Sequence, residues 1–252
     1  MLSRDNVMLA QVDGHELYIH ASRVSVALYL LRPYEPFTAQ LFKDVIRPGA
    51  TVLDIGAQYG YFSLVAARQV GPKGRVYAFE PVPANFELLQ RNIRKSGYGD
   101  IIRAVPKAVG EQHGARTIFL YEESGLHGMH RHPHAAVRQT ISVECVTIDE
   151  FLNGQPVDVI KMDIEGAEPY ALKGMEHTIA KNGGLVLFAE LAPVLLLQAG
   201  RTPDEYLEQL RGLGFEMQLI DDDAQCLRSA SSWKDGPSWT ANLYCERKGH
   251  GS

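Results

Sequence analysis

Few cysteines, no long apolar run and a small net charge are the first features of this sequence. Cys145, Cys226 and Cys245 are far apart and form no Cys-x-x-Cys pair, which argues against a disulfide framework or a cysteine zinc site and favours free thiols in a reducing compartment. The apolar runs at 24–31 and 191–197 are too short to span a bilayer, and no signal-peptide core follows the first residues. These absences predict a cytoplasmic protein that does not cross a membrane.

The charge balance disfavours two classes of partner. A net charge of -5 and a pI near 6 argue against electrostatic binding to nucleic acid or to anionic membranes. The composition, 45% hydrophobic and 22% charged, is ordinary for a globular protein, and 252 residues can bury a full core. The sequence leaves the oligomeric state open, a homo-oligomer included.

A strand that turns through glycines into a helix lies near the start of the main pattern. The apolar run at 52–55 carries Asp54, Gly56 and Gly60 follow it, and helical periodicity begins at Tyr61. Such a turn lets backbone N–H groups approach a ligand, as in α/β proteins.

Strand and helix patterns alternate through most of the chain, which predicts a parallel sheet with helices on both faces. A hairpin at 7–20 and a helical stripe at 22–32 precede it. The predicted strands are 51–55, 75–79, 101–105, 157–162, 185–189, 215–220 and 239–245, with a weaker candidate at 225–228 and two more at 116–121 and 140–146. The predicted helices are 38–46, 60–70, 84–95, 147–152, 167–180 and 203–212. The acidic triplet 221–223 is interpreted as a solvated turn.

The acids at the ends of the strands indicate the ligand. In such a sheet the ligand lies beyond the carboxyl ends of the strands, where Glu80 can accept hydrogen bonds from both hydroxyls of a ribose. A dinucleotide fingerprint requires a glycine at the position of Gln58, and Asp54 would repel a pyrophosphate. An acid at Asp54 suits a cationic group instead, so the pattern favours S-adenosylmethionine over NAD.

Three separated motifs resemble one family. VLDIGAQYG at 52–60 and AFEP at 78–81 are similar to the first two motifs of class I S-adenosylmethionine-dependent methyltransferases, and KMDIEGAE at 161–168 resembles the signature of the FkbM type. YEP at 34–36 and AVG at 108–110 match that type as well. The resemblance covers roughly residues 30–245, and Gln58 departs from it because the family usually has Asn there.

The resemblance implies a fold and a set of site residues. The fold is a doubly wound, mostly parallel seven-stranded Rossmann-like sheet with a terminal antiparallel hairpin. An N-terminal hairpin and helical cap is expected over 1–48, and a methyltransferase domain over 49–247 with an acceptor-loop insertion at about 112–146. The expected cofactor site comprises Tyr34, Glu35, Asp54, Gly56, Ala57, Gln58, Gly60, Glu80, Pro81, Lys107, Ala108, Val109 and Asp163.

The catalytic expectations centre on acids at strand ends. Asp163 and Glu165 are the candidate catalytic residues, and the expected reaction is methylation of a hydroxyl of a sugar or secondary metabolite. Asp163 with Glu190 resembles the carboxylate placement of Mg²⁺-dependent catechol-type O-methyltransferases, so Mg²⁺ is a candidate second cofactor. One histidine of the polar loop, among His127, His130, His132 and His134, is an alternative general base.

Two other functions stay open at this point. One is a nicotinamide-dependent oxidoreductase, which the missing glycine at Gln58 disfavours. The other is a protein that binds an adenosyl ligand without transferring a group, which Asp163 and Glu165 mildly disfavour.

Overall fold

A computed structural model describes residues 7–22, 34–235 and 240–247. Its strands in chain order are β1 (Val7–Val12), β2 (His15–His20), β3 (Thr51–Ile55), β4 (Arg75–Phe79), β5 (Ile102–Val105), β6 (Ala108–Val109), β7 (Gly114–Leu120), β8 (Gln139–Val146), β9 (Val159–Met162), β10 (Val186–Leu191), β11 (Phe215–Asp221), β12 (Cys226–Ser229) and β13 (Ala241–Arg247). Its helices are α1 (Pro36–Val45), α2 (Tyr61–Val70), α3 (Pro83–Ser96), α4 (Ile148–Leu152), α5 (Glu168–Lys173), α6 (Glu176–Lys181), α7 (Pro193–Gln198) and α8 (Pro203–Gly212). The helix expected at 22–32 lies almost wholly outside the described residues.

The main sheet has the strand order β12-β11-β13-β10-β9-β3-β4-β5. The five strands from β10 to β5 are parallel. On the other side of β10, strands β13, β11 and β12 follow, and each pairs antiparallel with the strand before it in the sheet. This confirms the expected fold class, with eight strands rather than seven because the weaker candidate at 225–228 pairs with β11 as an extra edge strand. The strand order reverses between β3 and β9, which is where open α/β sheets bind their ligands.

Two apolar layers cover the faces of the sheet, as alternate residues of each strand require. On one face Val52 and Val76 pack with the hairpin and helices α1, α2 and α3. On the other face Leu53 and Tyr77 pack with helices α4 to α8. Among the described residues, no helix combines the length and apolarity that crossing a bilayer requires.

The single helix expected at 167–180 is wrong, because two short helices, α5 and α6, occupy this segment. Gly174 separates them and lies so close to the chain at Gly110 that a Cβ there would be 2.0 Å from the Gly110 carbonyl oxygen. Its own carbonyl accepts a hydrogen bond from the backbone N–H of Asp149. The contact with α4 and β6 therefore interrupts the helix. Helix α7 was not predicted.

The buried side-chain amide of Asn92 forms hydrogen bonds with both the hairpin β1–β2 and the main domain. Asn92 on α3 accepts a hydrogen bond from Tyr18 N at 2.7 Å and donates to the carbonyls of Tyr18 and Tyr59. The turn at Asp13 and Gly14 has positive φ at both residues, as a two-residue hairpin turn requires. The predicted hairpin is confirmed.

A separate three-stranded sheet has the order β6-β8-β7, in which β7 and β8 belong to the expected insertion and β6 precedes it. Strands β7 and β8 are antiparallel and correspond to the predictions at 116–121 and 140–146. The segment between them, 121–138, lies over the end of the main sheet and contributes to the cavity described below.

Helix α1 depends on a residue from a distant turn. Its preceding residue, Glu35, has φ 42 and provides no side-chain cap. Instead Asp222 accepts hydrogen bonds from Phe37 N at 2.8 Å, Thr38 N at 2.9 Å and the Thr38 hydroxyl at 2.7 Å. The interpretation of 221–223 as a merely solvated turn is therefore wrong for Asp222.

We expect Asp222→Ala to lower the free energy of unfolding by about 1–2 kcal/mol, because the first N–H groups of α1 lose their acceptor. Urea denaturation measures the change. Asp223→Asn is the matched control, since Asp223 is exposed and has no hydrogen bond among the described residues, and its expected change is within about 0.5 kcal/mol. Equal effects of the two changes would contradict the capping role.

Candidate functional site

A cavity of about 1380 Å³ opens at the carboxyl ends of the parallel strands. Every residue of the expected cofactor site except Gly60 lines it, and so do Glu165 and Glu190. Gly60 instead begins helix α2 beneath Leu89. The strand ends thus bring together residues that are more than a hundred positions apart in the sequence.

The turn after β3 is held against two neighbouring strands. The backbone N–H groups of Gly56 and Ala57 both donate to the carbonyl of Phe79, at 3.0 and 2.9 Å. Gly56 has φ +88, and a Cβ at this position would lie 1.9 Å from the carbonyl oxygen of Asp163. Only glycine combines this conformation with so close an approach, so Gly56 sets the distance between the turn and Asp163.

Glu80 orders the floor of the cavity. It is buried, and its two carboxylate oxygens accept hydrogen bonds from Val82 N at 2.8 Å and Gln58 N at 2.9 Å. Burial raises the pKa of Glu80 to about 7, against the lowering effect of these bonds. The Asn85 side chain is a further hydrogen-bond donor to this carboxylate, which accepts about four hydrogen bonds, so capacity remains for one hydroxyl donor.

Three residues other than glycine adopt the left-handed conformation within the cavity lining. They are Glu35 with φ 42, Gln58 with φ 49 and Glu165 with φ 57. This region is costly for such side chains, and residues held there concentrate at functional sites. Asn is several-fold enriched in this region, which gives a physical reason for the family's usual Asn and for a cost at Gln58.

One buried cation lies among several acids. Lys161 is 1% exposed, and its Nζ donates to Asp163 Oδ2 at 3.3 Å and to Asn242 Oδ1 at 3.2 Å. Burial alone lowers the pKa of Lys161, but neighbouring carboxylates outweigh it and hold the pKa above its usual value. These carboxylates, in order of effect, belong to Asp163, Glu35, Glu190 and Asp54.

The acids themselves bind protons more tightly than usual. Desolvation raises the pKa of Glu35 to about 7 and that of Asp54 to about 6, although Ser63 Oγ donates to Asp54 at 2.5 Å. Burial, together with the charge of Asp163, also raises the pKa of Glu165 and of Glu190. The cavity therefore favours ligands that carry positive charge.

The histidines of the loop are arranged differently from one another. His127 Nδ1 accepts a hydrogen bond from Tyr121 N at 3.2 Å, which places the ring proton on Nε2, and burial lowers its pKa to about 4. The Nε2 atom of His127 is buried and has no hydrogen-bond partner among the described residues. His130 lies against the ring of Tyr170 and outside the cavity lining, whereas His132 and His134 line it.

Several site residues were missed in the sequence. Glu168 is fully buried and accepts a hydrogen bond from Ile164 N at 2.8 Å, which fixes the loop that follows β9. Lys161 belongs to the motif at 161–168, and a lysine inside a central parallel strand is itself a signal of a functional site because both faces of such a strand are buried. No local sequence pattern predicts the roles of Asn242 and Asp222.

Solved structures with a similar fold define the class of protein. A candidate rRNA methylase from Clostridium thermocellum aligns with a TM-score of 0.54 at 13% identity, over 85% of this chain and 95% of that one. An S-adenosylmethionine-dependent O-methyltransferase from Thermotoga maritima aligns with a TM-score of 0.50 at 16% identity, over 97% of this chain and 79% of that one. The fold is thus that of the Rossmann-like methyltransferases.

The sequence narrows this class to one family. The model described as "Methyltransferase FkbM domain" matches residues 54–217, which is more than half of the chain. The chain therefore belongs to the FkbM methyltransferase domain family, and the resemblance noted in the three motifs is confirmed.

Individual relatives match shorter segments. A protein-L-isoaspartate O-methyltransferase from Aeropyrum pernix is 44% identical over 59 residues, 23% of each chain. Methyltransferase 1 from Beauveria bassiana is 29% identical over 50% of this chain and 58% of its own length. The 31-O-demethyl-FK506 methyltransferase FkbM from Streptomyces tacrolimicus is 35% identical over 38% of this chain and 35% of its own. The chain covers less than two thirds of the length of each of these relatives.

We expect Gly56→Ala to lower the free energy of unfolding by about 1–3 kcal/mol, because the added methyl group meets the Asp163 carbonyl and forces a strained backbone. Chemical denaturation measures the loss. In Gly99→Ala, the matched control, the methyl group meets no atom within 4 Å, so stability should stay within about 0.5 kcal/mol. Similar losses in both variants would contradict the role of the contact.

We expect the melting temperature to fall as the pH rises from 6.5 to 8, above the range in which histidines with lowered pKa values, such as His127, act in the opposite sense. The pKa values of Glu35, Glu80 and Glu168 are raised to about 7 and that of Asp54 to about 6, so the folded protein binds more protons than the unfolded chain in this range. Their contribution is complete below about pH 4 and is lost as the pH passes through about 6–7.

The same measurement on Glu35→Gln should show a shallower decline, because the variant has no carboxyl to ionise there. Glu87→Gln, at an exposed position on α3, should follow the wild-type curve. A melting temperature that rises throughout this pH range would contradict the expectation.

Proposed function

We propose that the protein transfers a methyl group from S-adenosylmethionine to a hydroxyl group of a small molecule. The observation that carries the proposal is the cavity at the point where the strand order reverses, with Glu80 on its floor and acids around the Gly56 turn. Membership of the FkbM methyltransferase domain family supports it and weighs against the oxidoreductase alternative.

The residues present fit this cofactor. Glu80 retains acceptor capacity for a ribose hydroxyl, and Gln58, Lys107, Ala108 and Val109 line the same cavity. S-adenosylmethionine carries an ammonium and a sulfonium group. An excess of buried carboxylates, among them Asp54, is an environment that stabilises both.

Methyl transfer needs alignment more than covalent help from the protein. The acceptor oxygen attacks the methyl carbon in line with the breaking carbon–sulfur bond, and the electron pair of that bond returns to sulfur, giving S-adenosylhomocysteine. The hydroxyl proton must leave, and a carboxylate can accept it. The resemblance implies that the methyl group lies near the end of β9, which Asp163 and Glu165 follow. We assign the proton to one of these two.

The charges of the cavity support a neutral acceptor. Each lysine or arginine in the described lining already has an acidic partner: Lys107 pairs with Glu144, Lys161 with Asp163, and Arg228 with Asp221. A phosphate or carboxylate on the acceptor would therefore find no free cation there. A polyhydroxylated neutral molecule suits this lining better.

We expect calorimetric titration to give tight one-to-one binding of S-adenosylhomocysteine and no binding of NAD. Glu80→Gln should weaken S-adenosylhomocysteine binding by about tenfold, because the amide accepts ribose hydrogen bonds less well than the carboxylate. Glu87→Gln is the matched control and should bind as the wild type does.

Tight NAD binding without S-adenosylhomocysteine binding would overturn the proposal. If S-adenosylhomocysteine binds but radiolabelled methyl transfer fails across a broad panel of sugars and hydroxylated metabolites, the non-catalytic alternative gains support.

A further inference from the structure

Three carboxylates meet where β9 and β10 end. Asp163 follows β9, Glu165 lies two residues further on, and Glu190 is on β10. Oxygen atoms of the three lie within 4.8 Å of one another. Ligand oxygens on opposite sides of one ion are about 4.2 Å apart for Mg²⁺ and about 5 Å apart for Ca²⁺. The 4.8 Å limit lies between these two distances, so the three carboxylates can surround a single divalent ion, and an ion as small as Mg²⁺ would draw them inward by up to a few tenths of an ångström.

Glu190 supplies an independent indication of a missing partner. Its side chain is 8% exposed and lines the cavity, yet its Oε2 is buried with no hydrogen-bond partner among the described residues. A buried carboxylate oxygen without a donor is costly, and such groups in folded proteins are normally satisfied by a ligand, an ion or water.

The neighbouring lysine does not meet this need. Within the described part of the chain, the hydrogen bonds of Lys161 go to Asp163 and Asn242 and to neither glutamate. Its bond uses one oxygen of Asp163 and leaves the other for a ligand. When all three carboxyl groups are ionised, they exceed the one ammonium of Lys161 by two negative charges, which one divalent cation would neutralise.

We propose that Asp163, Glu165 and Glu190 bind one divalent cation, Mg²⁺ or Mn²⁺, inside the cavity. Carboxylate oxygens are the ligands that these hard ions prefer, and three protein ligands leave positions for water or substrate oxygens. Where the proposed methyl transfer holds, this inference narrows the acceptor to molecules with two adjacent oxygens, such as vicinal diols, which can occupy two of those positions.

The ion would assist the transfer by making an acceptor hydroxyl more acidic. The hydroxyl proton then passes to a carboxylate oxygen that is not engaged with the ion. As the oxygen–methyl bond forms, the carbon–sulfur bond of S-adenosylmethionine breaks, so that the products are the methyl ether and S-adenosylhomocysteine.

The test uses the full chain after treatment with EDTA and dialysis, without cofactor. Calorimetry with MgCl₂ and loss of the free Mn²⁺ signal in electron paramagnetic resonance should both give one site per chain. Glu190→Gln and the less buried Glu165→Gln should each weaken binding by at least about tenfold. Glu208→Gln, exposed on α8 and paired with Arg211, is the matched control and should bind as the wild type.

Absence of Mg²⁺ and Mn²⁺ binding by the wild type at millimolar concentration would overturn the site, as would unchanged affinity in both folded variants. Thermal unfolding shows whether Glu190→Gln or Glu165→Gln has failed to fold. If one has, the metal affinity of the other variant tests the site. S-adenosylhomocysteine titration of the same samples separates the two proposals. Cofactor binding without metal binding refutes only the metal site, and metal binding without cofactor binding refutes only the methyltransferase assignment.

Discussion

The contact between Gly56 and the carbonyl of Asp163 is the constraint on which the site depends. It brings the turn after β3 against the end of β9, the two strands between which the sheet reverses its order. The glycine turn of the expected cofactor site follows β3, and the candidate catalytic acids follow β9. Since a side chain at Gly56 would separate them, one missing Cβ sets the geometry between the two halves of the cavity.

Burial of several acids next to one lysine makes the free energy of folding less favourable, and the rest of the fold must offset this. Asp54, Glu80, Glu168 and Glu190 are buried, and desolvation opposes their ionised forms. Two apolar layers on the faces of the sheet supply the compensating stability. Backbone strain at Gln58 and Glu165 adds to the cost, which is consistent with a site selected for binding a cationic ligand rather than for stability.

Local patterns in the sequence were enough for most strands and helices, because apolar periodicity and glycine turns act over short distances, but not for β6, for α7 or for the break between α5 and α6. They were enough, too, for the acids at the strand ends, since parallel strands bring their carboxyl ends to one edge. Contacts between distant segments were not predictable. The cap that Asp222 gives to α1, the amide that Asn242 gives to Lys161 and the interruption at Gly174 each depend on tertiary pairing. The position of the ring proton of His127 likewise depends on a tertiary contact, because the backbone N–H of Tyr121 donates to its Nδ1.

The position of β13 means that the main sheet can be completed only late in synthesis. This strand is the last of the described residues, yet it lies inside the sheet between β10 and β11, and it carries the Asn242 that binds Lys161. A ribosome must therefore release almost all of the described chain before the sheet can close. Until then β10 has an open, apolar edge, a surface prone to wrong pairing and to recognition by chaperones.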